Sequence, residues 1–480
     1  VEIDRIWGGA AALSLAVILV CGGVSLPSFA ILTLFAILGI GLTILGSFRL
    51  FRSELNLRTK WAFTIIFLGL VLLAVQTIPL PPSIWSAFPG RAFVSESYQA
   101  AGIPLGWAAL SLDPEQTRMD LLMTVSAFGL FVAAVTLKST QRKYLAMVIL
   151  AAVLVSILLG VAQKFQGPNS LLFVYDLGGS RVASGFFANR NFYAALLYSA
   201  LPFVITFAIN FSRNGKAQKI VGPAFALIFI VIIIIGLGVA ESRMGVILAF
   251  FALLLSLPLI WSSRSFNMGS RGFVILMFIA VFLIAQFGLV AVLRLASTDS
   301  VSEYRTTIYA VSLDVLRSVF PVGSGFGSFV PIYAMHETPS VAVSAYINHA
   351  HNDWLELVIE GGLPMAILLL AYVTWYASAT YKVWTRGRDS LEDMLVKASS
   401  ISIALLLCHS MVDYPLRTPA LLGLFALLNG FLACGPQPVV AKFQRQRSDT
   451  KAPIEMPREA AIGAFKSNFK TKKSPPKFDG

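Results

Sequence analysis

The run Asn348-His349-Ala350-His351-Asn352-Asp353-Trp354-Leu355-Glu356 holds two of the four histidines in a chain of 480 residues. Histidine changes charge near neutral pH and can take a proton from an attacking hydroxyl. Asp353 and Glu356 have the spacing of a capping box, so a helix is expected to begin here. His351 would then stand just before a helix N-terminus, where a base and a phosphate leaving group can be neighbours. His349 and His351 are two apart and share no helical face, so the i,i+4 pair of a zinc site is not expected. The plainer reading is a set of polar residues that caps the helix and does nothing more.

Arginine carries the other candidate chemistry, because its planar fork grips phosphate or carboxylate with two parallel bonds. Arg181 opens a segment that ends Asn189-Arg190-Asn191 ahead of an apolar run. Asn189 or Asn191 can cap that helix, and the free N–H groups with Arg181 and Arg190 would suit an anion. In Glu241-Ser242-Arg243-Met244-Gly245 two long apolar runs meet in a short turn. A cation at such an edge usually has a partner or a function, and the plain alternative is an ion pair with Glu241. Glu303-Tyr304-Arg305 offers Arg305 on a helix-periodic segment, where a solvated face is the simpler account. In Cys408-His409-Ser410-Met411-Val412-Asp413, His409 and Asp413 are i,i+4 and read first as an interhelical clamp.

The elements that position these groups belong to a membrane. The chain is 57% hydrophobic and 13% charged, with a mean hydropathy of +0.77, whereas a soluble domain is nearer half apolar and a quarter charged. Apolar runs of about 20 residues match the hydrocarbon thickness. Twelve helices are expected, at roughly 6–25, 28–47, 61–79, 119–137, 144–163, 191–211, 220–240, 244–261, 273–292, 361–381, 398–413 and 419–434. The first resembles a signal peptide in length, but it lacks a clear cleavage site and a second span follows at once. The fold class is therefore an all-α polytopic bundle over residues 1–434, with loops at about 80–118, 164–190 and 293–360 on one face. The last loop is too long for a connector. Residues 435–480 read as a disordered basic tail.

Charge sets the orientation. With both termini inside, 27 of the 37 Lys and Arg fall on the cytoplasmic side, as positive-inside sorting requires. The net charge of +13 is thus a topology signal and gives no reason to expect nucleic acid. The ten basic residues on the outer side are nine Arg and one Lys, Lys164. The three cysteines lie in apolar runs, so no disulfide framework is implied. No Walker loop is present, the glycines of 323–327 lack a βαβ setting, and Asp113-Pro114-Glu115 is the only close acidic pair of its kind. Metal-independent chemistry without a cofactor is expected.

In order along the chain, these segments resemble the O-antigen ligase and Wzy-type polymerase superfamily of bacterial envelope glycosyltransferases. The resemblance runs from about Arg181 to Leu428, with Ser111-Leu112-Asp113-Pro114-Glu115-Gln116-Thr117-Arg118 in the first outer loop. The ligases share His, then Asn, Ser or Gln, nine residues, Gly, two residues, then Gly, Thr or Tyr. Here that reads His351-Asn352, nine residues through Gly361, Gly362, then Leu363-Pro364 and Met365, which departs at the final position. Ser242-Arg243-Met244-Gly245, Pro321 to Phe329 and His409 to Arg417 are similar too. The resemblance implies a GT-C-type transferase at the periplasmic face of the bacterial inner membrane. Its donor would be a glycan on undecaprenyl pyrophosphate, and its acceptor lipid A–core (ligase) or another glycan (O-antigen or exopolysaccharide polymerase). Carried over, His351 matches the essential histidine and Arg243 and Arg305 the pyrophosphate-binding arginines. Arg181 is a further candidate for the anion, with Asn352, His349, Asn191 and Asp413 in support. The competing class is a lipid-linked glycan flippase or solute transporter, which predicts ionisable groups near mid-membrane.

Overall fold

A computed structural model describes residues 2–51, 54–175, 182–213, 218–261, 278, 281–282, 285–286, 300–339, 346–386 and 390–435. The chain divides into Val1–Pro436 and Gln437–Gly480. The expected tail beyond Gly435, the ninth expected helix at 273–292 save for isolated residues, and Arg181 all lie outside the described residues.

The membrane part begins with α1 (Glu2–Cys21), α2 (Phe29–Leu50) and α3 (Leu57–Gln76). Two short antiparallel strands pair Pro79 with Ala109 and Leu80 with Ala108, and so gather the ends of the first long loop. Within that loop lie α4 (Pro82–Trp85) and α5 (Ala92–Ala100). The chain continues through α6 (Pro114–Thr136), α7 (Ser139–Gln166), α8 (Arg190–Phe211), α9 (Gln218–Ala240) and α10 (Arg243–Trp261). Two loop helices follow, α11 (Ser300–Val319) and α12 (Phe329–His336), and then α13 (Asp353–Trp384), α14 (Leu391–His409) and α15 (Pro419–Cys434). Among the described residues nine helices are long and apolar enough to cross a membrane. The protein is a polytopic helical membrane protein. Of the last two expected spans, α14 starts seven residues earlier than the apolar run, because Ser390 and Asp393 form a capping box there. Charged side chains can extend a membrane helix at its interfacial end, where hydropathy alone places a loop.

The centre of the bundle is α8. All of Phe192 to Ile209 is buried, and the helix packs on α7, α9, α10 and α14. Two polar groups of this helix find partners on α14. Tyr198 Oη meets His409 Nδ1 at 2.9 Å, and Ser402 Oγ donates to the Ser199 carbonyl at 2.7 Å. A second packing centre joins α2 to α6, where a Cβ on Gly39 would come within 2.5 Å of the Ser126 Cα. Two backbones approach this closely only where a side chain is missing.

A small core of its own holds the helices of the last loop. Ile308, Val311, Val315 and Val319 bury one face of α11 against Phe329, Ile332, Tyr333, Ala350 and Ile359. The expected periodicity is met at Ile308, Val311, Val315 and Val319. The turn at 323–327 folds onto α13: Ser324 N donates to Ile359 O, Gly325 N to Glu360 O and Gly327 N to Glu360 Oε1, each at 2.8–2.9 Å. There α13 breaks. Gly362 has φ +61, and a Cβ on it would lie 2.3 Å from the Pro321 carbonyl.

Candidate active site

His351 stands one residue before the cap of α13, and its backbone is in the left-handed region at φ 51. Few non-glycine residues are held there without support. The support is visible: Tyr309 Oη on α11 donates to the His351 carbonyl at 3.0 Å, and the ring lies edge-on to Tyr414 at 5.0 Å. Burial raises the Tyr309 phenol above its ordinary value, which keeps it a donor. The His351 side chain is 26% exposed, and its Nδ1 lies 3.3 Å from Asp413 Oδ1. An ionised carboxylate only accepts, so Nδ1 is the donor to Asp413 and, in a neutral ring, Nε2 is the acceptor. Among the described residues no side chain hydrogen-bonds Nε2.

Asp413 is the buried hub. Besides His351 it accepts from Asn191 Nδ2 at 2.7 Å and from the Tyr414 N–H at 3.1 Å, and His409 Nε2 stands 3.9 Å away. Burial works against its charge. The bond from His351 and the positive potential of His409 and His351, with the Asn191 bond, outweigh that and hold the carboxyl below its usual range. His409 pairs with Tyr198 as a clamp between α14 and α8, while Asp413, expected as its clamp partner, stands 3.9 Å away and meets the His351 ring.

The arginines lie at two helices beside this hub. Arg243 is the first residue of α10 and is exposed. Its expected alternative partner is taken, because Glu241 pairs with Lys164 at 2.5 Å. Arg305 is half-buried on α11 and donates to the carbonyl of Val412, next to Asp413, at 3.2 Å. Neither meets a carboxylate among the described residues. Asn189, rather than Asn191, caps α8 by accepting from the Asn191 N–H at 2.8 Å.

The expected capping box at Asp353 and Glu356 does not form. Asn352 is the cap, accepting from Leu355 N at 3.1 Å, and both carboxylates turn inward. Glu356 holds His349 Nδ1 and the Ala350 N–H, each at 2.7 Å. His349 is therefore buried beneath the loop, its ring 4.3 Å from that of Tyr414, and braces the segment that presents His351. The carboxylates also converge on Arg417, which sequence reasoning missed. Arg417 is buried with Glu360 at 2.8 Å, Glu356 at 3.4 Å, Asp353 at 3.5 Å and Asp120 at 3.7 Å. Burial disfavours its charge, and the four carboxylates outweigh that and hold the guanidinium protonated well above its ordinary value. The signal was present: Asp353, Glu356 and Glu360 repeat every three to four residues along an apolar helix, and such a face requires a cation.

An apolar cavity of about 290 Å³ runs between α3, α6, α13 and α15 and reaches Asp353, two residues from His351. No curated protein matches the chain. Residues 228–370, which include Arg243, Arg305, His349 and His351, match the family model Wzy_C, described as O-antigen ligase. Over that segment the chain is similar to the O-antigen ligase and Wzy-type family.

Proposed function

We propose that this protein transfers or polymerises a glycan at the periplasmic face of the bacterial inner membrane, with both termini cytoplasmic. The donor is a glycan on undecaprenyl pyrophosphate, and the acceptor is lipid A–core or another glycan. The observation that carries this reading is His351, whose Nδ1 is engaged by buried Asp413 and whose Nε2 has no side-chain partner among the described residues. Arg305 bonds the carbonyl of Val412, next to Asp413, and neither it nor Arg243 meets a carboxylate among the described residues. The apolar cavity that reaches Asp353 supports a substrate with a lipid chain.

In this mechanism the acceptor oxygen attacks the anomeric carbon as the bond to the pyrophosphate oxygen breaks. The hydroxyl proton passes to His351 Nε2, and the imidazolium that forms is stabilised by Asp413. General-base help of this kind is worth about 10²–10⁴ in rate. Arg243 and Arg305 balance the charge that grows on the leaving pyrophosphate, where preorganised donors act most strongly. Attack opposite the leaving group inverts the anomeric carbon, and no metal or cofactor takes part. Arg181 belongs to the same anion site in this proposal.

The test is a lipopolysaccharide gel from a deletion strain complemented with wild type or His351→Ala. Loss of O-antigen with accumulation of lipid-linked polymer identifies a ligase. Core bearing a single repeat identifies a polymerase. Full rescue by His351→Ala refutes the catalytic assignment.

A further inference from the structure

We infer that Asn191 and Ser242 are positioning residues that tie the His351 base to the arginine-bearing end of α10. The inference rests on the proposed roles of His351 and Arg243. A continuous chain of side-chain bonds joins the two. His351 Nδ1 meets Asp413 Oδ1 at 3.3 Å, and Asn191 Nδ2 donates to Asp413 Oδ2 at 2.7 Å. Ser242 Oγ then donates to Asn191 Oδ1 at 2.8 Å and accepts from the Gly245 N–H at 3.1 Å. Ser242 is thereby the cap of the helix whose first residue is Arg243.

The residue types suit these tasks and little else. An amide both donates to a carboxylate and accepts from a hydroxyl, which neither a carboxylate nor an apolar side chain does. Asn191 is not spent on its own helix, since Asn189 caps α8. Ser242 is 1% exposed, so its hydroxyl has no water to fall back on. The chain crosses from the α13 loop through the segment after α14 to the starts of α8 and α10; the first two are also joined by backbone bonds from Asp353 N to the Ser410 and Asp413 carbonyls. A shift of the α10 end on binding pyrophosphate is thus passed to the carboxylate that sets the imidazole. Other ionisable groups around Asp413 are His409, Tyr198, Tyr414, Arg305 and Tyr309.

The test uses the full chain in lipid nanodiscs, with lipid-linked glycan extracted from the deletion strain as donor. Farnesyl pyrophosphate serves as a separate probe of headgroup binding. Asn191→Ala should lower kcat by about 10² and leave farnesyl pyrophosphate binding within about two-fold. Asn191→Asp adds a negative charge beside Asp413, so the acid limb of kcat/KM should move to higher pH by about one unit. Ser242→Ala should lower kcat and weaken the probe, Ser242→Thr should restore both, and the Asn191→Ala/Ser242→Ala pair should lose less than the product of its singles. An unchanged acid limb in Asn191→Asp, with independent losses in the double variant, overturns the inference. Full kcat in His351→Ala instead overturns the base assignment on which it rests.

Discussion

Asp413 and His351 are 62 residues apart in sequence and meet at 3.3 Å through Oδ1 and Nδ1. The carboxylate has the Tyr414 N–H on the same oxygen and Asn191 on the other. It therefore cannot turn away from the ring without giving up two bonds, and the ring in turn keeps one tautomer. Asp413→Asn presents an amide in place of an obligate acceptor and lets the wrong tautomer in. It should lower kcat by about 10² or more with little change in donor KM. Steady-state kinetics with extracted lipid-linked donor checks this.

The two arginines should separate by what they touch. Arg243 makes no ion pair to lose among the described residues, so Arg243→Ala should leave thermal stability within about 0.5 kcal/mol. Transfer should fall by about 10²–10³ through loss of leaving-group stabilisation. Arg243→Lys keeps the charge and loses the fork, and should recover only part. Thermal unfolding alongside single-turnover transfer distinguishes the two effects.

Arg417 should behave in the opposite way. Arg417→Leu leaves Asp120, Asp353, Glu356 and Glu360 without their shared cation. Removing one side of a buried ionic cluster costs about 3–5 kcal/mol. The variant should be poorly inserted and unfold early, as detergent-phase unfolding and protein yield will report.

Asp413 also sets an acid limit on stability. Its carboxyl is held below the ordinary 3.8, so the unfolded chain takes up the proton first as pH falls. Its contribution is complete above the ordinary value and is lost as pH drops through 3.8 towards the lowered folded value. Unfolding temperature measured from about pH 5 to about pH 3 should fall less steeply in Asp413→Asn than in wild type.

Gly362→Ala places a Cβ 2.3 Å from the Pro321 carbonyl in a left-handed backbone. The strain should cost about 1–3 kcal/mol, read as a lower unfolding temperature, while Gly69→Ala, with open space around it, should be neutral or slightly stabilising.

What was legible in the sequence followed from hydrocarbon. Apolar runs located α2, α8, α9 and α10 to within a few residues, because a spanning helix has little choice of length. His351 and Asp413 could be picked out singly, but their meeting depends on how α13 begins and α14 ends, and no local period encodes that. The failed capping box shows the same limit. Asp353 and Glu356 have the right spacing for a cap, yet Arg417, some sixty residues away, draws them inward and leaves capping to Asn352. Local chemistry proposes a bond, and a buried charge elsewhere takes it.

The break at Gly362 leaves Leu363–Trp384 as the part of α13 that meets lipid. At 1.5 Å per residue that stretch is about 33 Å long, enough to cross the hydrocarbon unaided. The short segment from Asp353 to Gly361 is bonded instead to the 320s turn and to Arg417. Tilting of the long stretch in a thinner or thicker bilayer is then absorbed at the glycine. The histidine loop keeps its place relative to α8 and α11 while lipid composition changes around it.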